Sequence, residues 1–170
     1  MAEAEGVHPI AEFAMTTVAS YRLITLHDQD NDAGVGSAEA IDRLETAIAA
    51  STGYELFIGC VQDLFPVTVR VLVRDDEPGR SAGKPRLSLE CPTGRLVLGS
   101  PTGEVADFEL ATGPGEYDVA VTHRGRDEAR RVLREALEST EPDALEQLGR
   151  HAGLEGYTIS LWYRGPVEDE

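Results

Sequence analysis

A mainly β fold, an antiparallel β-sandwich, is what the 170-residue sequence predicts, and three patterns predict it. Apolar and polar residues alternate with a period of two in segment after segment. Short Gly/Pro turns separate those segments. A helical period takes over in only three stretches. Successive strands of this kind form two sheets that each bury one face.

Residues 104 to 122 carry the pattern most clearly. Ala106, Phe108 and Leu110 alternate with Asp107 and Glu109, and after Gly113-Pro114-Gly115 the residues Tyr117, Val119 and Val121 alternate with Asp118, Ala120 and Thr122. This reads as a half-buried hairpin. Tyr157, Ile159, Leu161 and Tyr163 repeat the period with Thr158, Ser160 and Trp162 opposite, so the closing strand is expected beside that hairpin.

The other elements follow in chain order. Residues 12 to 27 read as one long strand or two short ones, with Ser20 at the break. A polar loop leads to a helix over 38 to 51, with Ile41, Leu44 and Ile48 on one face and Ser37 as N-cap. Tyr54, Leu56, Ile58 and Cys60 form one strand pattern; Val67, Val69, Val71 and Val73 form the next, with Pro66 at its start, where a missing N–H does least harm. Residues 75 to 85 read as a surface loop. Strands over 86–91 and 95–100 are each followed by a Pro-Thr-Gly turn, at 92–94 and 101–103. Between 122 and 157 an amphipathic helix puts Ala129, Val132, Leu133, Ala136 and Leu137 on one face. Pro142 opens a second helix, with Leu145 and Leu148 inward and Gly149 or Gly153 to end it. The expectation is about eight strands, one helix in the N-terminal half and a two-helix insertion before the last strand. All of this forms one domain, 1–170, with flexible ends at 1–10 and 165–170.

Charge narrows the function. The chain has 31 acidic and 15 basic residues, a formal net charge of −16. Met1 to Pro66 holds eleven carboxylates against Arg22 and Arg43. Nucleic acid, whose backbone needs a basic stripe, is a poor partner, whereas a basic protein would be steered towards this surface. No apolar run approaches the roughly 20 residues of a membrane span. Cys60 and Cys91 lie inside apolar strand patterns with no charged-then-apolar leader before them, which reads as a cytoplasmic protein with reduced, inert thiols.

One loop has metal-ligand spacing. Asp28, Asp30, Asp32 and Glu39 fall at positions 1, 3, 5 and 12 of a twelve-residue loop, with Val35 at the apolar eighth, and this resembles an EF-hand calcium loop. Ala33 stands where that loop has its turn glycine, and a strand rather than a helix precedes it. The competing reading is an acidic loop that caps the following helix. The four histidines, His8, His27, His123 and His151, have no zinc-type pairing, and Ser100 lacks the nucleophile-elbow spacing. Trp162, opposite the apolar face of the last strand, is either covered by the inserted helices or an interface anchor.

The Gly-rich turn, EYDVAV after it, a variable insertion and then YTISLWY resemble a group of small bacterial β-sandwich proteins of unassigned function. More distantly they resemble the competence-type nuclease inhibitors. The resemblance covers residues 67 to 163 and implies a sandwich and an inhibitor-like role, with no functional residue carried over. Two readings stand from the sequence. The first is a non-enzymatic, acidic module that binds a basic protein such as a nuclease or toxin, with Trp162, Asp28, Asp30 and Asp32 at the contact. The alternative is a small-molecule or calcium-binding module that uses Asp28, Asp30, Asp32 and Glu39.

Overall fold

The computed structural model describes residues 8–31, 34–78 and 85–168. Asp32, much of the expected loop at 75–85 and the outer parts of both ends lie outside the described residues. Ten strands follow one another among those described: β1 (Ala11–Thr17), β2 (Leu23–Asp28), β3 (Ala49–Ser51), β4 (Glu55–Gly59), β5 (Val67–Arg74), β6 (Leu87–Cys91), β7 (Arg95–Gly99), β8 (Val105–Glu109), β9 (Gly115–Arg124) and β10 (Gly156–Gly165). Two helices accompany them, α1 (Ser37–Arg43) and α2 (Arg126–Glu138), with a 3-10 helix at Glu146–His151. No described helix is long and apolar enough to cross a membrane.

The strands form two five-stranded sheets, ordered β1-β5-β10-β9-β6 and β3-β4-β2-β7-β8. The alternation read from the sequence points inward: Val67, Val69, Val71, Tyr157, Ile159, Leu161, Tyr117 and Val119 from one sheet meet Ile24, Leu26, Leu56, Ile58, Leu96 and Leu98 from the other. At one open side Phe13 of β1 stacks on Phe108 of β8, with ring centroids 4.5 Å apart.

Several expectations are corrected. The strand count is ten rather than about eight, and the sheets are not wholly antiparallel, because β10 runs parallel to β5. Residues 104 to 122 are not a hairpin. β8 pairs with β7 in one sheet, while β9 pairs with β10 and β6 in the other, so the Gly113-Pro114 turn carries the chain between sheets. The turn at 92–94 crosses in the same way. Alternation of apolar residues says which side chains face a core, and it is silent on which sheet a strand joins. The closing strand, expected beside the 104–122 stretch, pairs with its second half alone: Tyr157, Ile159 and Leu161 face His123, Val121 and Val119 in register.

The helix expected over 38–51 ends at Arg43, and Ala49–Ser51 is instead strand β3, paired with Ile58, Phe57 and Leu56. Tertiary pairing outweighs the helical preference of an alanine pair here, since β4 would otherwise leave its edge open. Gly36, left-handed at φ 77, takes the N-cap position that Ser37 was expected to hold. What remains of α1 covers the outer face of β3 and β4, where Ala40 and Leu44 pack on Ala50 and Phe57.

The insertion keeps its long helix, but its second member is the 3-10 helix. Ala129 and Leu148 close over Phe65, with Val132, Leu133 and Ala136 around them. Leu137 and Leu145, expected inward, are exposed. The insertion therefore packs on the β4–β5 connection and leaves Trp162 to other cover. The break at Ser20 is a tight turn in which Tyr21 and Arg22 are both left-handed, φ 53 and 60. Serine pins it: the Ser20 N–H donates to Ser100 Oγ at 2.8 Å.

Candidate functional site: an acidic depression at one end of the sandwich

β2 carries the chain from the Tyr21 turn at one end of the sandwich to Asp28 at the other. Asp28 is 1% exposed. Its Oδ1 accepts from the Asp30 N–H at 3.0 Å and from the Thr93 hydroxyl at 2.8 Å, while Oδ2 accepts from the N–H groups of Thr93 and Gly94, both at 3.1 Å. The carboxylate thus ties the end of β2 to the crossing between β6 and β7. Gly94 is left-handed there, and a Cβ on it would lie 2.8 Å from the Pro114 nitrogen, so the two inter-sheet crossings pack directly on each other. Asp28 thus caps a turn 65 residues away in sequence rather than the start of α1.

A second turn is stitched to the same end. Ser51 Oγ donates to the Ser88 carbonyl at 2.7 Å, the Gly53 carbonyl accepts from the Glu90 N–H at 2.7 Å, and Thr52 Oγ1 accepts from the N–H groups of Tyr54 and Glu55 at 3.1 and 3.0 Å. These bonds fix Tyr54 and Glu55 beside Glu90. Between this turn and the Asp28 loop lies a depression of about 370 Å³. Asp30, Glu55 and Glu90 stand at its wall with Asp28; Tyr54, Val35 and Pro92 are its apolar members, and among the described residues no Lys or Arg lines it. Tyr54 is 49% exposed and Val35 75% exposed.

Of the residues singled out from the sequence, the structure brings Asp28 and Asp30 to the depression. Glu39 lies on α1 outside its lining, and Asp32 is outside the described residues. No group of three or more His, Cys, Asp or Glu among the described residues is placed to hold a metal ion. Trp162 is 3% exposed. Its Nε1 donates to Asp76 Oδ1 at 3.2 Å, so it meets the connection that leaves β5. Leu72, Ala120 and Ser160 are buried on the same outer face of the sheet. Sequence reasoning missed Tyr54, Glu55 and Glu90. Glu55 and Glu90 sit at ordinary polar positions of strand patterns, and only the Thr52-Gly53 turn hints that Tyr54 leaves the strand.

Burial pushes the Glu55 carboxyl above its ordinary range, with the nearby His27 opposing the shift. A carboxyl raised in the folded state adds stability in acid and loses it as pH rises through the folded pKa. Glu55→Gln should therefore raise the Tm at pH 7, and the gain should disappear below about pH 4, where wild-type Glu55 is itself protonated. Calorimetry at the two pH values reads this directly. A Tm lowered at pH 7 would mean that the charge on Glu55 serves the fold.

The opposite end holds a buried polar network. The Glu155 carboxylate, fully buried, accepts from the Val61 N–H at 2.9 Å, Gln62 Nε2 at 3.1 Å and the Tyr157 hydroxyl. Arg126 donates to the Tyr157 oxygen at 2.8 Å and the Gly59 carbonyl at 2.6 Å, which locks the start of α2 to β4. Burial, and then the charge of Glu155, pushes the adjacent Cys60 thiol up; burial and the charges of Asp28 and Glu90 do the same for Cys91. Both stay protonated and unreactive. Ser100 is buried with its oxygen bonded to Ser20, with no histidine in the exchange.

No protein-family model matches the chain, and no curated protein is similar to it. Solved structures are. ComJ from Bacillus subtilis, described as an inhibitor of the DNA-degrading activity of NucA, superposes with a TM-score of 0.54 at 14% identity, over 94% of this chain and 99% of its own. The fold resembles that of ComJ. The product of crocagin biosynthetic gene J matches with a TM-score of 0.53 at 17% identity, over 91% of this chain and 99% of that one. The likeness runs through nearly the whole of each chain, well beyond residues 67 to 163, and at this identity it is a likeness of fold.

Proposed function

We propose that the protein is a non-enzymatic, inhibitor-like binding module that engages a basic protein partner through its acidic end. The observation that carries this reading is the depression beside Asp28. It combines carboxylates with an exposed tyrosine and valine held on hydrogen-bonded turns, and among the described residues no Lys or Arg lines it. Charged rims steer association and aromatic anchors hold it. The contact therefore lies at Asp30, Tyr54, Glu55 and Glu90, while Asp28 shapes it from beneath and Trp162 belongs to the fold. What is described of ComJ supports an inhibitory role for this fold, and the partner class that suits the charge is a basic nuclease or toxin.

The test is capture of the partner from the native host, then association kinetics against salt. A basic partner is expected, with an association rate that falls steeply between about 0.05 and about 0.3 M salt, where the screening length shortens below about 10 Å. An acidic partner, or a rate indifferent to salt, would leave the net charge a matter of solubility alone.

A further inference from the structure

The two sheets end in four edge strands, β1 and β6 in one and β3 and β8 in the other. Three of these edges are guarded. β3 and β6 are joined to each other, since Ser51 Oγ donates to the Ser88 carbonyl at 2.7 Å and the Glu90 N–H donates to the Gly53 carbonyl at 2.7 Å. β8 is five residues long and carries Asp107 and Glu109, which both accept from Arg95 of β7. A short, charged edge turns other strands away. β1 has none of these devices. It runs seven residues, Ala11–Thr17, in unbroken register with β5, contains no Pro or Lys, and pairs with β5 alone among the described strands. Its one charge, on Glu12, is offset by Arg70 of β5 at 2.9 Å. Glu12, Ala14 and Thr16 are exposed, and the outward main-chain N–H and C=O groups of β1 form a template for another strand.

The strand that fits this template is β1 itself. An antiparallel copy centred on Ala14 sets Ala14 against Ala14 at a two-fold axis and Glu12 against Thr16, so each carboxylate meets a hydroxyl rather than its own copy. On the other face Phe13 comes against Met15, a sulfur–aromatic pair beside the Phe13–Phe108 stack. The same operation on β8, centred on Asp107, would oppose two aspartates. We propose that β1 is a homodimerisation edge: two copies pair β1 with β1 antiparallel about Ala14 and join two five-stranded sheets into one continuous sheet. Each copy carries a formal net charge of −16, so long-range repulsion opposes the pairing and salt favours it. No residue of β1 lines the acidic depression, so both depressions stay open and the dimer presents two of them.

Sedimentation of the full-length protein should show a monomer–dimer equilibrium with a Kd on the order of 100 µM, as suits a small interface, tightening at least about threefold between about 0.05 and about 0.3 M salt. Two substitutions of equal charge separate register from overall field. Ala14→Lys sets two lysines against each other and should abolish the dimer, whereas Thr16→Lys sets a lysine against Glu12 of the other copy and should hold the wild-type affinity or improve on it. Cysteine variants test the register covalently. Ala14→Cys should cross-link under mild oxidation, because directly opposed Cα atoms lie about 4.5–5.5 Å apart, while in Thr16→Cys the two introduced thiols stand four residues apart along the strands, roughly 13 Å. The native Cys60 and Cys91 are buried and do not compete. Should a lysine variant lose its folded circular dichroism spectrum, the cysteine pair decides alone. A protein that stays monomeric at about 500 µM in the higher salt, lysine variants that behave alike, or Thr16→Cys cross-linking as fast as Ala14→Cys overturns the inference.

Discussion

Asp28→Ala should destabilise the protein by about 3–5 kcal/mol and lower its Tm by on the order of 10 °C. The substitution takes the acceptor away from four donors at once: the N–H groups of Asp30, Thr93 and Gly94 and the Thr93 hydroxyl. Each buried donor left without a partner costs about 1–3 kcal/mol, and bonds to a charged acceptor are the stronger ones. Part of that loss is recovered where the turn relaxes towards water, which keeps the total below the simple sum. Asp28→Asn should fall between, because one acceptor survives while the amide presents its own hydrogens to the remaining donors. A residue serving only as an exposed ligand would change stability by less than about 0.5 kcal/mol when replaced. Scans of the wild type with and without millimolar calcium should superimpose, since a ligand that bound only the folded state would raise the Tm by mass action.

Legibility in the sequence followed the physics of each element. The alternation of Val67 through Val73 and of Tyr157 through Leu161 could be read because burial of one face leaves a period-two trace in the chain. Sheet membership left no such trace. Strands β8 and β9 have the same pattern whether they pair with each other or separate at Gly113, and the separation shows only in their pairing, β8 with β7 and β9 with β10 and β6. Strand β3 was hidden for a related reason, since an Ala-Ala-Ser triplet takes its conformation from β4 rather than from itself. At the candidate site the acidic loop stood out by composition, and its most conspicuous member, Asp28, proved to act inward. A carboxylate spaced for a cation and one spaced for backbone N–H groups look alike in sequence, because both are hard-acceptor sites. Tyr54, Glu55 and Glu90 come together only through the bonds that join the 51–55 turn to β6, a contact between segments about 35 residues apart in the chain. The Glu155 network was equally silent, because Glu155, Gln62 and Arg126 belong to three different segments and each alone reads as a surface residue.

The measurement that bears most directly on the account is partner affinity for a variant with Asp30→Asn, Glu55→Gln and Glu90→Gln together, set against a control with Asp107→Asn, Glu109→Gln and Glu128→Gln. Both remove the same formal charge. The first removes it at the depression, whereas the second removes it from β8 and from the first turn of α2, where Asp107 and Glu109 are paired with Arg95 on an exposed strand. The site variant should bind the captured partner about a hundredfold more weakly, with a slower association rate and a flatter dependence on salt, because close charge pairs at an interface contribute more than 1 kcal/mol each. A Tm no lower than that of wild type would confirm that the loss is one of contact rather than of fold. The control should remain within about threefold of wild type. Equal losses in the two variants would mean that the acidity acts only as a diffuse field, and a site variant with wild-type affinity would contradict the assignment of the depression as the partner-binding end.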